Sequence, residues 1–181
     1  MVDGTDIKLA GVARRLFGTD AEAAVAALPW RRGRDGVEVL LVTSRGTGRW
    51  IIPKGWSERG ELKNEAAARE AWEEAGVTGI ASPVVVGAFE YDKLLRSGAT
   101  RHCHVEVFGL EVRRVDDIWP EMCERDRRWF TTARAVEACG EPGLAPIIES
   151  FRPAQGLTVL PVFHTAHTQH LVFCAGFQSN P

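Results

Sequence analysis

Three glutamates, Glu70, Glu73 and Glu74, lie within five residues of one another in the stretch 55–77, GWSERGELKNEAAAREAWEEAGV. On a helix turning about 100° per residue they fall at about 0°, 300° and 40°, inside one arc of roughly 100°. Like charges at i, i+3 and i+4 cost about a few tenths of a kcal/mol per pair on an isolated helix, and the C-terminal end of the macrodipole adds to that cost. A counter-ion offsets the repulsion. No suitably spaced His or Cys accompanies the acids, and an all-oxygen ligand set selects a hard divalent cation, Mg²⁺ or Mn²⁺, over zinc. Arg69, four residues before Glu73, is placed to fix that carboxylate while Glu70 and Glu74 face the metal. Gly55 and Gly60 bracket a loop whose backbone can approach a ligand or offer a carbonyl to a metal, and Glu61 stands at its exit.

These side chains need a frame. Residues 23–30 (AAVAALPW) and 37–43 (VEVLLVT) are apolar runs around the polar, Gly-bearing RRGRDG, which predicts two strands joined by a turn. Residues 50–52 add a short extended piece ended by Pro53. The alanine- and glutamate-rich run 62–75 predicts a helix, with Gly76 at the position favoured for a C-terminal glycine. Ala67, Ala71 and Ala75 line a face, at about 60°, 100° and 140°, that can press closely on a sheet. Residues 82–90 and 102–112, rich in Val and Phe, read as strands, and 133–151 as one or two helices broken near Gly140–Pro142. The β-β-β-α-β-β order predicts an α+β fold, helices layered on a mixed sheet. The domain is expected over 23–152, with a leader over 1–22 and an appended hairpin or tail over 153–181.

Composition narrows the function classes. With 22 Lys+Arg against 24 Asp+Glu in 181 residues, the net charge of −2 excludes a generally basic nucleic-acid binder and a disordered acidic chain. The balance conceals sorting: residues 31–54 hold six bases and two acids, residues 55–76 six acids and three bases. No apolar run reaches the length of a membrane helix, and Asp3 and Asp6 interrupt any signal-like opening. Cys103, Cys123, Cys139 and Cys174 form no C-x-x-C pair, which suits free thiols in a reducing compartment and a cytoplasmic location.

Gly55, Glu61, Arg69-Glu70, Glu73-Glu74, Gly76 and the aliphatic Val77 stand at the spacings of the Nudix box, and the chain resembles the Nudix hydrolases over roughly residues 23–151. Ala71 departs from the larger aliphatic residue usual there, a difference of packing. The resemblance implies an α/β/α sandwich and a Mg²⁺-dependent hydrolase, Mn²⁺ being an alternative, that cuts a phosphoanhydride bond. It assigns metal binding to Glu70, Glu73 and Glu74 with the main-chain carbonyl of Lys54 or Gly55. Glu70 is also the candidate base for the attacking water, and Arg69 and Glu61 orient the ligands. A later acid often assists in this family; Glu121, Glu124 and Asp126 are the candidates.

The segments VEVLLVTSRGTGRWIIPKGW, RHCHVEVFGLEV and RDRRWF resemble the diphosphoinositol polyphosphate and dinucleoside polyphosphate branch. A small-molecule polyphosphate is therefore the expected partner, met by a basic rim of Arg45, Arg49, Lys54, Arg101, Arg127 and Arg128. Tyr91 and Asp92 stand where an ADP-ribose pyrophosphatase would carry a proline. Two rivals stay open: another capped diphosphate (a nucleotide sugar, a nicotinamide dinucleotide or an RNA 5′ end), and a Nudix-fold sensor that binds without cutting. Homodimerisation is also open. Tyr91 is either a strand aromatic or a surface for stacking a base, and Trp56 either walls the pocket or closes the loop. His102 and His104 share one side of a strand but read as packing or surface residues before metal ligands, and His164, His167 and His170 as decoration of the tail.

Overall fold

The computed structural model describes residues 24–94 and 98–153; the leader and nearly all of the tail, with its three histidines and Cys174, lie outside the described residues. The elements are β1 (Ala24–Gly33), β2 (Gly36–Thr43), β3 (Trp50–Ile51), β4 (Lys54–Trp56), α1 (Lys63–Ala75), β5 (Val77–Leu94), β6 (Thr100–Val115), β7 (Arg127–Thr131), α2 (Thr132–Ala138) and α3 (Ala145–Ser150). The sheet runs β3-β2-β1-β6-β5, with β4 added on β1 and β7 on β2. β1 pairs parallel with β6 and antiparallel with β2 and β4, so the sheet is mixed.

β1 lies at the centre, and Ala24–Trp30 are buried without a break, as expected of a strand covered on both faces. Alternate residues sort to the two sides. Ala24, Ala26, Leu28, Val39, Leu41, Val105 and Val107 form one core with Ala135, Ile147, Ile148 and Phe151 from the α2–α3 region. Val25, Ala27, Leu40, Val42, Phe108 and Leu110 form the other with Ala66, Ala67, Ala71 and Ala75 of α1. This is the α/β/α sandwich. The alanine face brings α1 close to the strands, so a small residue at Ala71, fully buried, suits the packing.

Two strands were not legible beforehand. β4 is only Lys-Gly-Trp, and β7 begins with two arginines; neither shows apolar alternation, and both are extended because β1 and β2 offer them partners. The β5–β6 hairpin outgrows the predicted strands at both ends. β5 starts directly after Gly76, whose φ of 63° and ψ of 34° end α1 in a left-handed cap. Register shifts break the β5–β6 pairing at Thr78/Gly79 and between Ala81 and Gly87. At the first of these a Cβ on Gly79 would overlap the Glu111 carbonyl. Gly79→Ala is therefore expected to cost about 3 kcal/mol of stability by backbone displacement, read by urea unfolding.

Candidate active site

α1 presents its acids to the short strand β4, which β1 holds through the pairs Ala24 with Trp56, Val25 with Gly55 and Ala26 with Lys54. Glu70 and Glu74 are both buried and both turn toward this backbone. Glu74 Oε2 accepts the Lys54 amide at 3.2 Å, and the Glu70 carboxylate fills the space that a Cβ on Gly55 would need. The glycine at 55 is thus a steric requirement of the acid at 70. Burial is the main force on both carboxyls. It raises Glu70, and it pushes Glu74 up to about 7 despite the opposing effects of Arg125 and the Lys54 amide.

Arg69 is the hub. Its Nε and Nη2 donate to the two Glu61 oxygens at 3.0 and 3.2 Å, and Nη2 also donates to the Trp56 carbonyl at 2.9 Å. Nη1 reaches Glu70 Oε1 at 2.8 Å and the Glu73 oxygens at 3.3 and 3.4 Å. This corrects the expected division of labour: Arg69 holds Glu70 more closely than Glu73, because its guanidinium is anchored on the loop side by Glu61 and Trp56. The hydrogen bond from Arg69 holds Glu61 below the usual carboxylate range, and Glu61 in turn raises Arg69. Trp56 sits in β4 and packs on the core, so it closes the loop.

Arg125 was not foreseen. It lies in the loop before β7, buried, and pairs with Glu74 Oε1, with Glu121 Oε2 at 2.6 Å and with the Thr43 carbonyl at 3.0 Å. A run of charges such as ERDRR reads as a solvated face, and nothing in the local pattern singles out its one buried member. Glu121 is thereby drawn to the acidic helix, its amide donating to the Glu73 carbonyl at 3.1 Å. Glu124 and Asp126 stay exposed, Glu124 at 3.3 Å from Arg45 and Asp126 bonded through its amide to Thr43 Oγ1.

The basic rim divides. Arg45 is exposed beside Glu121 and Glu124, each at 3.3 Å. Arg49 is exposed, donating to Thr47 Oγ1 at 3.0 Å and to the Gly140 carbonyl at 3.3 Å. Lys54 turns its ammonium to Glu141 at 2.9 Å, both side chains nearly buried. Arg128 lies over the Trp50 ring at 5.4 Å, and Arg101 is exposed on β6 opposite Lys93. Arg127, expected on the rim, belongs to the scaffold instead. It donates to the carbonyls of Ala75 and Asp116 and stacks on Trp119 at 3.9 Å, because the last turn of α1 has no basic residue to satisfy its carbonyls. His102 and His104 face Glu90 and Asp92 across the β5–β6 pair at the surface.

Ser44, Thr47, Arg49, Lys54, Tyr91, Asp92 and Glu141 line an open cleft of about 350 Å³. Lys54 links it to the acids, its backbone on Glu74 and its side chain in the cleft. Among the described residues no three His, Cys, Asp or Glu side chains already converge as a ligand shell. The fit to a hard cation rests on other features: oxygen-only donors, two buried carboxylates, and a glycine at 55 that lets the Glu70 carboxylate lie directly against the β4 backbone.

Fold and site together define an α+β sandwich protein with an acidic helix set against a glycine-bearing strand at the sheet. The NUDIX domain family model matches residues 21–151, and the chain belongs to that family. It is 36% identical over 118 residues to Nudix hydrolase 12, mitochondrial, of Arabidopsis thaliana, covering 64% of this chain and 58% of that protein. The chain thus spans less than two thirds of the length of this relative. It is 31% identical over 144 residues to diphosphoinositol polyphosphate phosphohydrolase 3-alpha of Mus musculus, covering 75% of this chain and 84% of the other. A NUDIX hydrolase structure from Nitrosomonas europaea superposes with a TM-score of 0.54 at 25% identity, over 72% of this chain and 87% of that one.

Proposed function

We propose that the chain is a divalent-cation-dependent pyrophosphohydrolase that hydrolyses a phosphoanhydride bond in a dinucleoside polyphosphate or diphosphoinositol polyphosphate. The observation that carries this reading is the placement of two buried carboxylates, Glu70 and Glu74, on the backbone of Lys54 and Gly55. Arg69 and Arg125 each offset one of these charges, yet burial still raises both carboxyls, so a further cation between them would be stabilised. Glu70, Glu73, Glu74 and the Gly55 carbonyl are the ligands proposed for Mg²⁺ or Mn²⁺. The cation supplies charge neutralisation at phosphorus and a lowered pKa for bound water.

The chain's own residues do the rest. Arg69, fixed by Glu61 and the Trp56 carbonyl, sets the rotamer of Glu70, the proposed base. Glu121 is the later acid favoured here, since it shares Arg125 with Glu74 whereas Glu124 and Asp126 point outward. Arg45, Arg101 and Arg128 are the proposed phosphate contacts, Arg45 being exposed close to the acids, while Arg49 and Lys54, expected on the same rim, line the cleft together with Asp92 and Glu141. Intact Glu70, Glu73 and Glu74 favour hydrolysis over a sensor role. Among the described residues no helix is long and apolar enough to cross a membrane, and Cys103, Cys123 and Cys139 are free thiols, which supports a cytoplasmic location.

A panel of dinucleoside polyphosphates, diphosphoinositol polyphosphates, nucleotide sugars and capped RNA, with products read by mass spectrometry, tests the reading. Turnover is expected with Mg²⁺ or Mn²⁺, none in chelator, and a drop in kcat of at least about tenfold in Glu73→Gln. Turnover that persists unchanged in chelator and in Glu73→Gln, or is absent on every substrate, refutes it.

A further inference from the structure

The cleft beside the acids contains a carboxylate whose hydrogen bonding is incomplete. Glu141 is buried, and its Oε1 takes the Lys54 ammonium at 2.9 Å. Its other oxygen, Oε2, is also shielded from solvent and accepts no hydrogen bond. The group is held firmly: the Glu141 amide donates to Cys139 Sγ, and its carbonyl accepts from the Leu144 amide at 3.0 Å. A buried acceptor left open on a fixed backbone costs stability unless a ligand satisfies it. Glu141 is a cleft-lining residue, as is Tyr91, whose ring lies 5.3 Å from the Lys54 ammonium.

We propose that Glu141 is a specificity residue: a turn of its carboxylate that keeps Lys54 bound brings Oε2 to the cleft, where it accepts an N–H or O–H from an uncharged ring-bearing group of the substrate, a nucleobase with Tyr91 beside it, and keeps a phosphate out of the cleft. The charges favour this. Lys54 is already matched by Glu141, and Asp92 adds a second carboxylate to a lining that also holds Arg49, so acids and bases balance in the cleft and leave no surplus positive charge for an anion. A phosphate placed here would meet an open carboxylate oxygen at close range, whereas an exocyclic amine or ring N–H would complete it. The inference rests on the hydrolase reading above and selects within it: a nucleoside polyphosphate fits, and an inositol ring carrying phosphates all round does not.

Glu141→Gln tests the assignment because it nearly preserves shape. The Lys54 ammonium keeps the amide oxygen toward itself, so the amide nitrogen faces the cleft and an acceptor becomes a donor. Chemical-shift mapping on the full chain, without turnover, uses AMP, GMP, CMP and UMP as one set of probes and inositol hexakisphosphate as the other. At least one nucleotide is expected to perturb Tyr91 and Glu141 and to bind about tenfold or more weakly to Glu141→Gln, measured where both proteins are folded because the variant also leaves the Lys54 ammonium without its carboxylate. Inositol hexakisphosphate is expected to leave both residues unperturbed. Steady-state kinetics add a second reading: KM for a dinucleoside polyphosphate rises in Glu141→Gln while kcat changes little. The proposal is overturned if no nucleotide perturbs the cleft, if inositol hexakisphosphate occupies it, or if the variant weakens both probe sets equally. A wild type that binds nucleotide in the cleft but hydrolyses nothing refutes the hydrolase reading and leaves Glu141 as a ligand-selecting residue.

Discussion

Gly55→Ala is expected to cut kcat about a hundredfold while lowering Tm by only a few degrees. The methyl group would occupy the space held by the carboxyl carbon and both oxygens of Glu70. What it meets is the far end of a flexible side chain, so the fold yields cheaply: Glu70 changes rotamer and β4 keeps its pairing with β1. The new rotamer, however, takes Glu70 away from Arg69 Nη1 and from the Gly55 backbone, the two features that place it. Activity and stability therefore separate. Kinetics and a melting curve on the same preparation check this, and equal losses in both, or a variant with wild-type kcat, would show that Glu70 does not act from this position.

That glycine illustrates how much of the site was legible in the sequence. The spacing of Arg69, Glu70, Glu73 and Glu74 specified which residues share a helix face, since helix geometry alone sets those angles, whereas the role of Gly55 and Glu61 beside them was implied by the resemblance to the Nudix box. The same holds for the alanine stripe on α1 and the buried run of β1, whose patterns are local. What was not legible depends on residues far apart in the chain. Arg125 lies 51 positions from Glu74, and Glu141 lies 87 from Lys54. No local period marks either, because an arginine or glutamate looks alike in sequence whether its partner waits in the core or in water. Arg127 misleads for the same reason: its stem and charge suit a phosphate rim, but the open carbonyls at the end of α1 lie nearer. β4 and β7 exist through their pairing with β1 and β2, not through the propensity of Lys-Gly-Trp or Arg-Arg-Trp.

Removing Arg125 is expected to be the most destabilising change near the site. Its side chain is only 5% exposed, and its guanidinium neutralises Glu74 and Glu121 and satisfies the Thr43 carbonyl, joining α1, β2 and the loop before β7. Truncation to alanine leaves Glu74 buried without its cation, a change that costs about 3–5 kcal/mol, or roughly 10 °C in Tm at about 2–4 °C per kcal/mol for a chain of this size. The deficit depends on pH with a definite sign. Burial raises the Glu74 carboxyl from an ordinary 4.5 to about 7 even with Arg125 present, so the folded state binds the proton more tightly than the unfolded chain. In chelator, stability contributed by that proton is full below the unfolded value and is lost as pH rises from there through the folded one. Without Arg125 the carboxyl moves higher still, and Arg125→Ala is expected to trail the wild type more at pH 8 than at pH 5. Glu74→Gln in the Arg125→Ala background removes the stranded charge and is expected to recover a large part of the loss, a coupling measurable as a double-mutant cycle by urea unfolding. Additive losses, or a deficit independent of pH, would show that Arg125 contributes packing rather than charge compensation.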